Sequence, residues 1–124
     1  MTVALWCVLA AALLPYLATT IAKAGGERYD NRDPRRWLER QEGFRARANR
    51  AQLNSFEAFP FFAAAVIVAQ LLHAPQERVD ALAAIFIVAR LAYLACYLAD
   101  WHGARSVAWL LGWVACIFLF VSGA

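Results

Sequence analysis

"RAQLNSFEAFPFFAAAVIVAQLL", residues 50–72, decides the fold. Its second half carries no charge at all, and from Gln52 it is long enough to cross a bilayer, which takes roughly 20 mostly apolar residues. Its first two turns nevertheless carry Arg50, Gln52, Asn54 and Glu57. Polar and charged groups inside a span face a protein interior or a water-filled cavity, because lipid solvates them poorly. The stretch therefore announces both a membrane helix and a polar surface that the rest of the chain must meet.

The surrounding sequence agrees with a membrane setting. The chain has 124 residues, of which 63% are hydrophobic, whereas soluble domains stay near half. Nine of its twelve Lys and Arg residues lie between Lys23 and Arg50. Four windows have the length and apolarity of spans, at about 2–22, 52–72, 79–99 and 106–122, joined by a polar loop at about 23–43 and by two short connections. The expected architecture is an all-α membrane protein, a single domain over 1–124, with four transmembrane helices in an up-down bundle. The first window lacks the basic leader of a cleaved signal peptide. Cys7, Cys96 and Cys116 lie in apolar runs without metal-ligand or disulfide spacing, so no metal is expected.

Basic residues orient the bundle. The first and third loops with their flanks hold ten Lys or Arg, counting Arg45, Arg47, Arg50 and Arg105, and the second loop holds only Arg78. Lys and Arg accumulate on the cytoplasmic side, so both termini are expected to face away from it. The positive charge thus addresses a membrane surface and not nucleic acid. Ala- and Arg-rich usage suggests a bacterial source, hence the inner (plasma) membrane. Within the first loop, Asp33 followed by Pro34 reads as the start of a short amphipathic helix at the membrane surface.

Arg47, Arg50, Asn54 and Glu57 recur at three- and four-residue intervals and so form one helical stripe, with Gln52 off it. Arg90, Tyr93 and Tyr97 form a second stripe in the third span, and Arg105 opens the fourth. Glu57 lies about five residues inside its span from the cytoplasmic end, and Arg90 about nine; at 1.5 Å per residue the two depths are similar. A Glu57–Arg90 contact and a shared polar pocket opening toward the cytoplasm are expected. Each residue also has a plainer reading: a register-fixing ion pair for Glu57 and Arg90, interhelical glue for Asn54, belt aromatics for Tyr93 and Tyr97, and positive-inside anchors for Arg47 and Arg105. Trp101, Trp109 and Trp113 read as belt aromatics as well.

"RANRAQLNSFEAFPFF" (47–62) and "ARLAYLACY" (89–97), continued by Arg105–Ser106, resemble the paired signatures of the MAPEG proteins, membrane-associated proteins in eicosanoid and glutathione metabolism. The resemblance runs over nearly the whole chain. It implies a homotrimer with glutathione held as co-substrate between neighbouring subunits near the cytoplasmic face. Glutathione contacts map by resemblance onto Arg50, Gln52, Asn54, Glu57, Arg90, Tyr93 and Tyr97, with Lys23 as a weaker match from a neighbour's first helix. Arg105 matches the arginine that stabilises the glutathione thiolate, allowing for a one-residue length difference after Tyr97. Ala58 departs from the pattern, standing where leukotriene-forming members have Tyr. The activity implied is a glutathione-dependent transferase or peroxidase acting on a lipophilic electrophile reached from the bilayer lipids. Three rivals remain at this point: a non-catalytic, lipid-presenting member of the same fold, a small proton-coupled exporter, and a purely structural membrane subunit that would bind no thiol tripeptide. The exporter is disfavoured because such proteins usually carry their proton on an acid in the first helix, and the first span here has no acid.

Overall fold

The computed structural model describes all residues, 1–124. Five helices follow in order: α1 (Val3–Lys23), α2 (Pro34–Glu39), α3 (Gly43–Leu71), α4 (Gln76–Leu98) and α5 (His102–Phe120). All but α2 are long and apolar enough to cross a membrane. They run alternately up and down, which places both termini and the α3–α4 turn at one end. The loop after α1 and the α4–α5 turn lie at the other, here called the loop end. Contacts at the terminal end fix this arrangement: Ala4 N donates to Asp80 Oδ1 at 2.8 Å, and Gln70 Nε2 donates to Thr2 Oγ1 at 3.5 Å.

The helix α3 begins at Gly43, well before the expected start of the span at 52. Its 29 residues make a rod of about 44 Å, longer than a hydrocarbon core of about 30 Å. Its first two turns, with Arg45, Arg47 and Arg50, can therefore project beyond the oil. Helices α1 and α3 continue through Pro15 and Pro60.

Small residues let the helices approach. On α1, Ala4, Ala11, Ala18 and Ala22 are buried, as are Ala48, Ala51, Ala65 and Ala69 on α3. Lipid gives no hydrophobic drive for helix association, so close backbone packing between such small residues supplies much of it. A larger core forms where α3, α4 and α5 meet: Phe62 and Phe86 stack with centroids 3.9 Å apart and planes at 7°, surrounded by Val66, Val79 and Leu119.

Both tight antiparallel turns end a helix in the same way. After α3, His73 takes φ 53°, His73 N bonds Gln70 O, and Ala74 N bonds Ala69 O. After α4, Asp100 takes φ 61°, Asp100 N bonds Tyr97 O, and Trp101 N bonds Cys96 O. These are Schellman caps with a left-handed residue just past the helix, a position usually taken by Gly.

The polar loop is folded, with α2 as its centre. Asp33 caps α2 by accepting from Arg36 N, and Pro34 follows. Trp37, 1% exposed, packs with Ala22, Leu38 and Ala48 and donates Nε1 to Arg28 O at 3.0 Å. The helix α2 remains separate from α3.

Candidate functional site

Asn54 and Glu57 from α3 face Arg90 from α4 across a cleft that α5 closes. Ala58, Phe61, Phe86, Trp109, Gly112, Trp113 and Cys116 complete its lining, and its volume is about 340 Å³. One part is polar and the remainder aromatic or small. The Arg90 charge is tolerated at this depth because protein, and not lipid, encloses it.

Arg90 organises the polar part. It is 4% exposed, and its Nη1 donates to Asn54 Oδ1 at 2.9 Å while Nη2 donates to Ser55 Oγ at 3.1 Å. Both acceptors are neutral. Asn54 Nδ2 in turn donates to Glu57 Oε2 at 3.4 Å. The expected direct Glu57–Arg90 contact is therefore replaced by a relay through the Asn54 amide. The reason is local: Asn54 lies one turn before Glu57 on the same stripe, and its amide occupies the position facing Arg90. Glu57 stays exposed at the rim.

A second arrangement runs from Arg90 toward the loop end. The Arg90 guanidinium carbon lies 4.3 Å from the Tyr93 ring centroid, Tyr93 meets Tyr97 edge-on at 5.5 Å, and the Arg105 guanidinium covers Tyr97 at 4.3 Å. Two cations thus bracket two rings, each held by the negative face of its aromatic partner. The column brings together four of the residues singled out in the sequence, and Arg105 joins it from the first turn of α5.

Others lie apart. Arg50 is exposed on the cleft side of α3, one turn above Asn54. Gln52 is half-buried, its Oε1 enclosed without a hydrogen-bond partner, and it is absent from the cleft lining. It stands two positions before Asn54, with Leu53 between them, which puts it on the far side of the helix. Lys23 lies over the Tyr29 ring at 4.0 Å, within its own loop. Arg47 does not reach the cleft; it bonds the end of α4. No group of three or more His, Cys, Asp or Glu gathers anywhere in the chain.

Ser55, Gly112 and Cys116 were not singled out in the sequence, and Trp109 and Trp113 read there as interfacial. Residues 109, 112, 113 and 116 nonetheless follow the spacing of one helical face, a signal present in the sequence once α5 is known to close the cleft.

The model of the MAPEG family matches residues 3–124, essentially the whole chain. The chain belongs to the MAPEG family. No characterised protein and no solved structure matches it. MAPEG membership makes it an integral membrane protein of the glutathione and eicosanoid metabolism kind. The signatures that carry the resemblance, around Asn54 and around Arg90, are the same residues that meet across this MAPEG chain's cleft.

Proposed function

We propose that the protein is a glutathione-dependent transferase or peroxidase acting on a lipophilic electrophile. The observation that carries this reading is the buried Arg90, which faces a cleft polar at one end and aromatic at the other while its hydrogen bonds go to neutral oxygens. A cation without a paired carboxylate suits an anionic ligand.

The residues match glutathione group by group. The tripeptide carries two carboxylates, an ammonium and a thiol. Arg50 and Arg90 offer guanidiniums to carboxylates, Glu57 offers a carboxylate to the ammonium, and Asn54 with the two tyrosines can bond the peptide groups. Arg105 would supply positive charge beside the sulfur, favouring the thiolate over a free thiol of pKa about 8.5. In conjugation the thiolate sulfur attacks an electrophilic carbon, forming a C–S bond as the leaving group departs with its electron pair. In peroxide reduction, two glutathiones are oxidised to a disulfide as a hydroperoxide becomes an alcohol and water. Either way the protein contributes positioning and electrostatics.

In this reading the protein is a homotrimer. Gln52 and Lys23, which lie away from the cleft of their own chain, would serve a site between neighbouring subunits. The loop end would face the cytoplasm, as the clustering of basic residues suggests.

The test uses detergent-purified protein with 1-chloro-2,4-dinitrobenzene and with cumene hydroperoxide, each with glutathione, for wild type and Arg105→Ala. Activity on one substrate, lost in the variant, supports the reading and separates conjugation from reduction. Equal activity in both proteins removes Arg105 from the chemistry. Calorimetry with glutathione on wild type and Arg50→Ala tests the pocket independently: equal, weak binding in both would count against it.

A further inference from the structure

We propose that Arg47 is a positioning residue that clamps the α4–α5 corner and thereby holds Arg105 at its place in the column. The inference rests on the reading of Arg105 just given. Arg47 Nε and Nη2 both donate to a single oxygen, Leu98 O, at 3.2 and 3.1 Å. An arginine serving only as a positive-inside anchor would extend toward headgroups. This one turns inward, half-buried, and crosses from α3 to the last residue of α4.

Leu98 O is one of the carbonyls that a helix end leaves without a partner. The Schellman cap uses Cys96 O and Tyr97 O, which accept from Trp101 N and Asp100 N, but leaves Leu98 O open. Arg47 closes that gap with a charge-assisted bond, at a helix C-terminus where a cation is favoured.

The consequence reaches Arg105 by a short path. From Leu98 the chain turns through Asp100, at φ 61°, to Trp101, which stands at the N-cap position of α5. Trp101 O then accepts from Arg105 N at 2.9 Å, in the first turn of α5. The Arg105 side chain folds back over Tyr97, the residue just before Leu98. The α3 end of the clamp is one turn from Arg50. Arg47 thus ties the helix carrying Arg50, Asn54 and Glu57 to the corner that presents Arg105. Misplacing a charged group by about 1 Å can cost as much as 100-fold in rate.

The test compares wild type, Arg47→Lys and Arg47→Gln. Hydrogen exchange of the backbone amides at 99–105 reads the clamp without reference to any activity. The 72–76 corner, built on the same cap without an arginine clamp, is the internal control. The expected result for Arg47→Gln is faster exchange at 99–105 with no change at 72–76. Turnover should drop roughly tenfold or more with KM for glutathione little changed, and the ultraviolet thiolate absorbance of bound glutathione should weaken. Lysine keeps the charge but loses the two-pronged bond, so Arg47→Lys should fall between. Unchanged exchange at 99–105 in Arg47→Gln overturns the proposal, as does faster exchange with turnover and thiolate both intact. Wild-type protein that forms no glutathione thiolate sinks the transferase reading instead; the positioning of the Arg105 corner is then still decided by the exchange measurement.

Discussion

Arg90 Nη1 donates to Asn54 Oδ1 at 2.9 Å, and the same amide donates from Nδ2 to Glu57 Oε2 at 3.4 Å. One neutral side chain therefore stands between a buried cation and a carboxylate at the cleft rim. A direct ion pair would satisfy each charge with the other. The relay holds both in place and leaves each free to meet an opposite charge on a ligand.

Asn54→Asp tests that separation. The new carboxylate would stand where Oδ1 now meets Arg90 and would pair with the guanidinium directly. The variant is expected to fold, since a buried arginine gains a counter-charge, but to bind glutathione at least tenfold more weakly, about 1.4 kcal/mol. Calorimetry alongside a thermal melt checks both halves. Undiminished affinity in a folded Asn54→Asp protein would take Arg90 out of the ligand site.

The bundle was legible because its signals are one-dimensional. Apolar runs of span length and the grouping of Arg and Lys need no tertiary information, and Asp33-Pro34 marks the start of α2 in sequence and structure alike. The stripes were legible too, since helical spacing alone puts Asn54 with Glu57 and Arg90 with Tyr93. Partner choice was not. Depth along two antiparallel helices predicts that Glu57 and Arg90 lie level, but which side chain faces the guanidinium depends on helix rotation, and that rotation brings Asn54 and Ser55 forward. Arg47 was opaque for a similar reason: its acceptor is a backbone carbonyl 51 residues away, and no side-chain pattern marks such a group.

Gly112 tests the cleft's shape. A Cβ there would lie 3.6 Å from Phe86 Cδ2 and 3.7 Å from the Ala89 Cβ, ordinary contact distances. Gly112→Ala should therefore melt like wild type. Gly112→Leu must enter the cleft or displace Phe86 from its stack on Phe62, and overpacking of this kind costs about 1–3 kcal/mol. With the transferase reading, the leucine variant should raise KM for the lipophilic acceptor while glutathione affinity changes little. Steady-state kinetics with each substrate varied in turn separates the two.

Trp37 tests whether the basic loop is held as a folded unit. Its ring is almost fully enclosed and meets Tyr29 edge-on at 5.2 Å. Truncating a buried Trp costs on the order of 3–5 kcal/mol in a protein core, and here the loss should fall on the loop more than on the four long helices. Trp37→Ala is expected to speed tryptic cleavage after Arg28, Arg32 and Arg35 severalfold with little loss of helix content by circular dichroism. A cleavage rate equal to wild type would mean the loop is held by other contacts.

Asp80 tests how α1 is seated at the opposite end. Its Oδ1 accepts from Ala4 N and from Gln76 Nε2, each at 2.8 Å, so one α4 carboxylate serves an unpaired N–H in the first turn of α1. Two contributions act there: a hydrogen bond to a helix N-terminus, with capping groups of this kind contributing about 1 kcal/mol, and attraction to the positive end of the helix dipole, about 0.3–1 kcal/mol. Asp80→Asn keeps an acceptor and loses the charge, whereas Asp80→Leu loses both. Thermal stability should therefore fall in the order wild type, Asn, Leu. Glutathione affinity should hold in both variants, because the contact lies at the terminal end, away from Arg50 and Arg105. Melting curves and calorimetry on the same samples decide it: a leucine variant as stable as wild type would show that packing along the alanine face of α1 seats the helix without help from Asp80.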